Sequence, residues 1–451
     1  MSGAERIWHP RYVWVTAGAV AMIFLAATQA LAVTTVMPLV SDDLDGAALY
    51  AVAFSGTLAT SVIGMVAVGA WCDRRNPVLP LTTAVALFVA GLAVAGAAPD
   101  MGVLVLGRLV QGLGTGGQTV ALYVVVARVY PAHLHGRVFA AFSAAWVVPS
   151  IVGPVLAGAV AEYLHWRWVF LGVAALTLVA FTMVFLRLRG LPLHTESPSH
   201  EPVGRRMAWA SVVAAGALAL SLAGEAGAFA PLVVVLALAV IAVAARPLLP
   251  AGTLRARPGL PSVILMRALI AGALFGAEIY VPYLLIDEYG FSATFAGLGL
   301  TSAALLWAIG ADIQGRFGDR LGNTRITLIG TAQLAAATLL AAATAAFALP
   351  AAVIIAGWSL AGGGMGLMYP RLTVLTLAYS TPRNQGFNSS ALSISDSIGA
   401  SSAIAAMGLT FVALSATGAG FAAVFVVATA LALLALLPGL RLGHAHESRP
   451  V

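Results

Sequence analysis

Long apolar stretches separated by short polar turns run from Tyr12 to Leu440. Most of them have about twenty residues or more, which is the length a helix needs to cross the hydrocarbon core of a bilayer. The first part of the chain predicts six membrane spans, at residues 12–39, 49–71, 78–97, 102–126, 138–162 and 168–188. The last part predicts six more, at residues 262–286, 295–313, 326–349, 351–379, 387–413 and 418–437.

The segment between these two groups has a different composition. A polar connector is followed by two shorter apolar segments, at residues 207–223 and 229–245. We predict two full spans here, because Arg206 and Arg246 flank them on one side and Glu225 lies at their turn. A re-entrant pair is the alternative. The fold class predicted is an all-α membrane protein of fourteen transmembrane helices, with an N-terminal six-helix bundle (1–190), a linker with two extra transmembrane helices (191–257) and a C-terminal six-helix bundle with a short cytoplasmic tail (258–451).

Composition supports a membrane protein over a soluble one. Of the 451 residues, 61% are hydrophobic and 9% are charged, whereas a soluble domain carries roughly 25% charged residues. This excludes a soluble globular enzyme, a disordered chain and a nucleic-acid-binding protein. The single cysteine, Cys72, excludes an internal disulfide and offers no metal-ligand set. We therefore expect no metal and no cofactor.

The charges sort by sign between the two sides of the predicted membrane. The formal charge is +6, from 23 basic and 17 acidic residues, and every basic residue is arginine. With the N-terminus inside, the cytoplasmic segments hold nearly all the arginines, whereas the outer segments hold mostly acids and only Arg167. This distribution follows the positive-inside rule and places both termini in the cytoplasm. We expect the plasma (inner) membrane of a bacterium.

One loop pattern occurs twice. The sequence GAWCDRRN at residues 69–76 and GRFGDRLG at residues 315–322 both read G-x-x-x-D-R-x-[N/G], each directly after the second span of its group of six. The repeat indicates two related halves. Asp beside Arg in a short loop favours contacts with helix ends of the opposite half, where an acid near a helix N-terminus is stabilised. The predicted gating residues are Gly69, Asp73, Arg74, Gly315, Asp319 and Arg320.

Further motifs lie in spans 4 to 6. Span 4 contains RLVQGLG at residues 108–114, span 5 contains GPVLAG at 153–158, and WRWVF at 166–170 opens span 6. Together with the loop motif they resemble the major facilitator superfamily, and the six-two-six layout resembles its fourteen-span drug:proton antiporter branch. The resemblance implies alternating access, with the loops as latches and a hinge at Gly153, Pro154 and Gly158. One position departs from that branch, since Gln29 stands where an Asp is usual.

Few ionisable residues lie within the predicted spans, where each is costly. Asp396 lies in a serine-rich helix near the midplane, and Glu278 lies near Pro282. Both are candidates for proton coupling because a low dielectric favours the protonated acid; the alternatives are an interhelical hydrogen bond and contact with outer water. Arg108 is predicted to stabilise a nearby deprotonated acid, or else to bond backbone carbonyls. Asp312 is included among the coupling candidates, although an ion pair with Arg316 or Arg320 is the favoured alternative.

A central cavity is expected between the halves. Aromatic, methionine and amide side chains suit a loose apolar site that accepts varied shapes, although plain packing or an interfacial belt is an alternative for each one. Arg267 and Arg371 are expected near the membrane edge as structural residues. The predicted cavity residues are Gln29, Gln118, Tyr123, Trp146, Tyr280, Tyr283, Trp307, Met365, Met368 and Tyr369.

The predicted function is proton-coupled export of small lipophilic compounds, such as drugs or natural products, by alternating access. A lipid exporter of the same fold is an alternative, because the helix pair is able to border a lateral opening. An alternative of another class is a membrane scaffold or sensor that does not transport. No enzymatic activity is expected, since no nucleophile or catalytic pair is recognisable. The expected partners are a small lipophilic substrate, protons and the bilayer; no nucleic acid is expected, and the protein is expected to be monomeric.

Overall fold

The computed structural model describes residues 6–46, 49–191, 193 and 203–442. Within these residues every regular element is helical and no strand occurs. The first six helices are α1 (Val13–Asp43), α2 (Tyr50–Cys72), α3 (Val78–Gly96), α4 (Met101–Val129), α5 (Ala132–Tyr163) and α6 (Arg167–Leu188). The inserted pair is α7 (Val203–Leu222) and α8 (Ala230–Ala244), joined by a 3-10 turn at Ala223–Phe229. Eleven stretches of the described chain are long and apolar enough to cross a membrane.

The second group of six spans contains seven helices. They are α9 (Leu260–Glu278), α10 (Tyr280–Asp287), α11 (Ala293–Leu321), α12 (Asn323–Phe347), α13 (Ala351–Ala378), α14 (Gln385–Ser415) and α15 (Gly420–Gly439). Helices α9 and α10 together make up the predicted seventh core span, which is interrupted at Ile279. Helices α11 and α12 are joined by the single residue Gly322, with a φ of 83° that favours glycine. The fold class predicted, two six-helix bundles with an inserted pair, is confirmed.

The two halves repeat one packing scheme. In the N-terminal half, α1 packs on α5 and α6, while α4 packs on both α2 and α3. In the C-terminal half, α9 packs on α14 and α15, while α13 packs on both α11 and α12. Each half has its own apolar core. The repeat detected in the loop sequences is therefore a repeat of the whole helical arrangement.

Glycines at matching positions make this packing close. Gly112 and Gly116 of α4 lie against the backbone of α2, where an added Cβ would collide with the carbonyl groups of Thr57 and Ser61. In α13, Gly362 and Gly366 lie in the same way against the backbone of α11. A helix pair can approach this closely only where side chains are absent, which accounts for the glycine-rich sequences of both helices.

The halves meet along two seams. Helix α2 packs on α14, and helix α5 packs on α11. The inserted pair lies over the first seam, since α7 packs along α2 and both α7 and α8 contact α14. The loops α2–α3, α4–α5, α11–α12 and α13–α14 lie at one end of the bundle. We call this end the arginine-rich face, because it bears Arg74, Arg75, Arg320, Arg325 and Arg383, and the positive-inside rule assigns it to the cytoplasm.

Candidate functional site

A buried ion pair joins α9 to α14 inside the C-terminal half. The Nε of Arg267 donates to Oδ1 of Asp396 at 2.7 Å. The hydroxyl of Tyr369, on α13, lies 2.9 Å from Oδ1 and 2.8 Å from Oδ2 of the same carboxylate. Three helices thus converge on one acid. Hydrogen bonds to an ionised group are among the strong ones, so this cluster is a fixed polar centre within an apolar bundle.

Arg267 is held more tightly than its partner. Its Nη1 also donates to the carbonyl oxygen of Tyr369 at 2.9 Å and to Oγ1 of Thr373 at 3.4 Å. Its guanidinium lies over the ring of Tyr369, 3.1 Å from the centroid. The side chain of Arg267 is 3% exposed, whereas that of Asp396 is 22% exposed. The carboxylate is therefore the member of the pair that solvent or a ligand can reach.

Tyr123 connects this centre to the other half of the molecule. It lies on α4 and packs against the cores of both halves. It also interacts electrostatically with Arg267 and Asp396. Trp307 extends the aromatic surface, with its ring centroid 5.4 Å from that of Tyr369. The structure thus brings together the predicted residues Asp396, Tyr123 and Tyr369. Arg267, which the sequence places near the membrane edge, is their counter-charge.

Arg108 lies apart from the acids in the described part of the chain. Its Nε donates to the carbonyl oxygen of Ala53 on α2 at 3.1 Å, and its Nη1 donates to Oε1 of Gln111 at 2.7 Å. These are the contacts of an arginine that joins two helices. No carboxylate pairs with it among the described residues. Its role in proton coupling stays a prediction.

Glu278 is the last residue of α9, directly before the interruption at Ile279. Within the described ranges, no hydrogen bond or ion pair engages its carboxylate. Asp312 forms an ion pair with Arg316 one helical turn away, at 2.9 Å, and both side chains are more than half exposed. Exposed pairs of this kind contribute little. Asp312 therefore forms the ion pair that was the favoured alternative to a role in proton coupling.

The remaining predicted cavity residues are dispersed. Gln29 and Gln118 are buried on α1 and α4, and Nε2 of Gln118 donates to the carbonyl oxygen of Met22 at 3.5 Å. Tyr280 and Tyr283 pack on Phe411, with ring centroids 5.2 and 5.5 Å away. Trp146 is exposed, whereas Met365 and Met368 are fully buried in the core of the C-terminal half.

The predicted hinge lies in α5. Gly158 has no atom within 4 Å of the place where a Cβ would be added, and Gly153 has only the Cβ of Leu31, at 3.8 Å. The side chain of Pro154 lies outside the described part of the structure. The two glycines therefore leave open space beside α5, and their role as a hinge stays a prediction.

A gate closes the arginine-rich face between α2 and α14. Oδ1 of Asp73 accepts from the backbone N–H of Gly386 at 2.6 Å, and Oδ2 accepts from that of Phe387 at 2.8 Å. Gly386 and Phe387 lie in the first turn of α14, where backbone N–H groups lack intrahelical partners and negative charge is favoured. Asp73 is 3% exposed. The acid of the first loop motif thus caps a helix of the opposite half.

The backbones of the two halves touch beside this cap. A Cβ on Gly69 would lie 2.6 Å from the carbonyl oxygen of Gly386, and a Cβ on Gly386 would collide with the carbonyl of Gly69. The first glycine of the motif is thus needed for closure. Arg74, next to Asp73, is half-buried.

Arg128 also takes part in the gate. The sequence did not predict this role, because the positive-inside rule already explained an arginine at this position. It donates to the carbonyl oxygens of Cys72 at 2.8 Å and Leu193 at 2.9 Å. The Nε of Arg128 also donates to Oε1 of Gln385 at 3.3 Å. One arginine therefore ties α4 to the end of α2, to the linker and to α14. Its position at the end of span 4, on the same predicted side of the membrane as the first loop motif, was the available signal.

The second motif was predicted as a loop, but all of it except Gly322 lies in the last turns of α11, and its acid makes a different contact. Oδ1 of Asp319 accepts from Nη1 of Arg371 on α13, 2.8 Å away and within the same half. Gly315 packs across the α5–α11 seam, where an added Cβ would lie 3.0 Å from the Cβ of Ala140 and 3.2 Å from the carbonyl oxygen of Gly136. Arg320 is exposed. Gly69 and Gly315 therefore lie at the two equivalent seams between the halves. Of the two acids, only Asp73 contacts the opposite half.

The charge of Asp73 makes the gate sensitive to pH. Burial raises the pKa of Asp73 from 3.8 to about 6, although the N–H groups of Gly386 and Phe387 act in the opposite direction. In an open gate the carboxyl group meets water and its pKa returns towards the ordinary value. The closed gate therefore binds a proton more tightly, and lowering the pH from 7 through 6 to 4 should stabilise closure by up to about 3 kcal/mol.

Hydrogen exchange at the amides of Gly386 and Phe387, corrected for the intrinsic rate, measures this effect. We expect slower corrected exchange at pH 5 than at pH 7.5, and no such difference in Asp73→Asn, which does not titrate. Faster corrected exchange of the wild type at pH 5 would contradict the assignment.

Comparisons with known proteins agree with this architecture. The sequence profile of the Major Facilitator Superfamily matches residues 18–404. The structure resembles that of the human organic anion transporter MFSD10 (TETRAN), with a TM-score of 0.72 and 16% identity, over 96% of this chain and 100% of the other. It also resembles a bacterial homologue of the iron transporter ferroportin in its outward-facing state, with a TM-score of 0.70 and 13% identity, over 96% and 100% of the two chains. At such identities the likeness shows the fold alone.

Curated relatives match over shorter regions. The MFS efflux transporter aclA of Aspergillus oryzae is 33% identical over 166 residues, which cover 36% of this chain and 30% of the relative. The Acurin A biosynthesis cluster MFS-type transporter of Aspergillus aculeatus is 31% identical over 147 residues, covering 33% and 26%. The matched regions thus span about a third or less of these relatives' length.

The relatives also correct the expected source. The expectation of a bacterial inner membrane is wrong, because the curated relatives are fungal proteins, from species of Schizosaccharomyces, Aspergillus and Fusarium. With a family profile that matches most of its length, and with two six-helix halves, a capped gate and matched glycine-rich helices in the structure, this chain belongs to the Major Facilitator Superfamily.

Proposed function

We propose that the protein exports small lipophilic compounds by alternating access between its halves, and that protons drive the export. Two relatives are named as an efflux transporter and as a transporter of a biosynthesis cluster, which supports a natural product or a similar compound as cargo. The aromatic surface of Tyr123, Tyr369 and Trp307 beside the ion pair suits an apolar cargo with a polar group.

The ion pair of Arg267 and Asp396 is the observation that carries proton coupling. Asp396 is the more accessible member, so a proton can reach it. Protonation would leave Arg267 with its charge uncompensated, because an arginine in a protein does not release its own proton. Removing one partner of a buried pair costs about 3–5 kcal/mol. A protonated Asp396 therefore favours a rearrangement in which Arg267 meets water or another partner.

The same helix carries this rearrangement to the gate. Asp396 lies on α14, and the first turn of α14 is the segment that Asp73 caps. Tyr123 brings the N-terminal half into contact with the pair. A change in the protonation of Asp396 thus acts on α14, which forms one side of the α2–α14 seam. It also acts on Tyr123, which packs against the cores of both halves. Proton binding and the position of the halves are thereby linked.

Proteoliposomes with an imposed pH gradient test the proposal. A lipophilic fluorescent dye serves as cargo, and a pH indicator reports proton movement. We expect dye-dependent proton flux in the wild type. In the double variant Arg267→Gln/Asp396→Asn, which keeps the pair uncharged, we expect dye movement to continue down its own gradient with at least about a tenfold lower proton flux.

Asp312→Asn is the matched control, because it also removes one acid of an ion pair, but from an exposed site. Its proton flux should equal that of the wild type. The proposal fails if wild-type protein moves dye without protons, or if the double variant retains the full flux.

A further inference from the structure

The inserted helix pair crosses the seam between the two halves. One apolar cluster contains Val62 and Val66 of α2, Val213 of α7 and Ile394 of α14. A second cluster, formed by Leu220, Val234 and Ile241 of the pair and its 3-10 connection, contacts Ile398 and Leu409 of α14. The pair therefore touches both sides of the α2–α14 seam at the first cluster, and α14 alone at the second.

A third contact lies at the gate itself. The guanidinium of Arg206, in the first turns of α7, lies over the ring of Phe387, 4.2 Å from its centroid. The backbone N–H of the same Phe387 donates to Asp73. Arg206 and Phe387 also line a small cavity with Ala70 of α2, and Arg206 interacts with the charge of Asp73. The pair is thus attached to the residue that closes the gate.

Opening the gate requires α2 to separate from α14, and α7 can remain with only one of them. The first cluster contains three buried residues of α2, namely Val62, Met65 and Val66, and one of α14, Ile394. Apolar contacts facing the bilayer exchange readily for lipid, because lipid tails are as apolar as leucine. The contacts with α14 can therefore be replaced when α14 moves, whereas the stacking of Arg206 on Phe387 has no equivalent in lipid.

We infer that the inserted pair is a strap on the gate: α7 and α8 travel with α2, slide over α14, and stabilise the closed state through Arg206 and Phe387. This assigns a role to the two helices that distinguish a fourteen-span chain from a twelve-span arrangement. It rests on the alternating access of the proposed function, but not on proton coupling or on the identity of the cargo.

Two reversible cross-links that share one position test the strap. In a Cys72→Ser background, Arg206→Cys is combined with Phe387→Cys to link α7 to α14, or with Ala70→Cys to link α7 to α2. The three positions line the same cavity. Both variants lose Arg206, so any effect of losing its charge is the same in both. A short bis-thiosulfonate reagent closes each link, and a reductant opens it.

Hydrogen exchange at the backbone amides of residues 386 and 387 reports gate opening without any cargo, because both amides donate to Asp73 in the closed state. We expect the α7–α14 link to slow this exchange by about tenfold relative to its reduced form, and the α7–α2 link to change it by less than about twofold. Equal exchange with and without the α7–α14 link would overturn the sliding, and strong slowing by the α7–α2 link would overturn the attachment to α2.

The two proposals fail in different ways. Absence of dye transport in the wild type would remove the proposed function while the exchange measurement still decides the strap. Normal proton-coupled transport with the α7–α14 link closed would remove the strap and leave the proposed function intact.

Discussion

Asp396→Asn is expected to destabilise the protein more than Arg267→Gln, although both break the same ion pair. When Arg267 is removed, Asp396 can take up a proton and keep its hydrogen bond with Tyr369. When Asp396 is neutralised, Arg267 remains charged, 3% exposed and without its carboxylate. The loss should approach about 3–5 kcal/mol for Asp396→Asn and be clearly smaller for Arg267→Gln. The free energy of unfolding in detergent, measured with a denaturant, compares them.

The double variant Arg267→Gln/Asp396→Asn completes the cycle. With neither charge present, its stability should exceed that of Asp396→Asn, because no unpaired charge remains buried. Its proton flux should still be lost, which separates coupling from folding. If the two single variants are equally stable, or if the double variant is the least stable of the three, the buried pair does not have the asymmetry described above.

Gly386→Ala is expected to hold the gate open. The new Cβ would collide with the carbonyl of Gly69 in the closed state, and neither atom is the end of a flexible side chain. Overpacking of this kind costs about 1–3 kcal/mol, and here the two halves can relieve it by separating. Closure is therefore lost while each half keeps its own packing. Gly69→Ala should act in the same direction, since its Cβ would lie 2.6 Å from the carbonyl oxygen of Gly386.

Faster hydrogen exchange at the amides of residues 386 and 387, with an unchanged unfolding midpoint, measures this prediction. Gly172→Ala, in α6, is the control, because nothing lies within 4 Å of its added Cβ; it should leave both quantities as they are. If Gly386→Ala lowers the unfolding midpoint while exchange at the gate stays slow, the glycine contact supports the fold and not the gate.

The membrane spans were predictable because the bilayer imposes one requirement on all of them. Every backbone polar group must be satisfied within the span, so long apolar stretches become helices. Charge predicts an orientation, which stays a prediction, whereas the two halves predicted from the repeated motif are present in the packing. The interruption at Ile279 was not recognised, although Glu278 directly precedes it and Pro282 follows it, because the apolar pattern continues into α10.

The candidate site was predictable in its residue types but not in its pairs. Asp396 was selected because an acid near the membrane midplane needs a reason to be there. Its partner was missed, because Arg267 lies near a predicted span end and the rotation of α9 towards α14 depends on packing between helices far apart in sequence. Asp73 was expected at a helix N-terminus of the opposite half, and the structure identifies the helix as α14.

The connection between α11 and α12 has a consequence for how the halves transmit motion. Gly322 alone joins the two helices, whereas residues 73–77 separate α2 from α3. A linker of one residue leaves no slack, so any displacement of α11 at the arginine-rich face carries α12 with it as a single lever. The α2–α3 linker is long enough to let Asp73 engage or leave α14 without moving α3. The arginine-rich face therefore has one compliant connection, between α2 and α3, and one stiff connection, between α11 and α12, and fast local fluctuations should be confined to the compliant one.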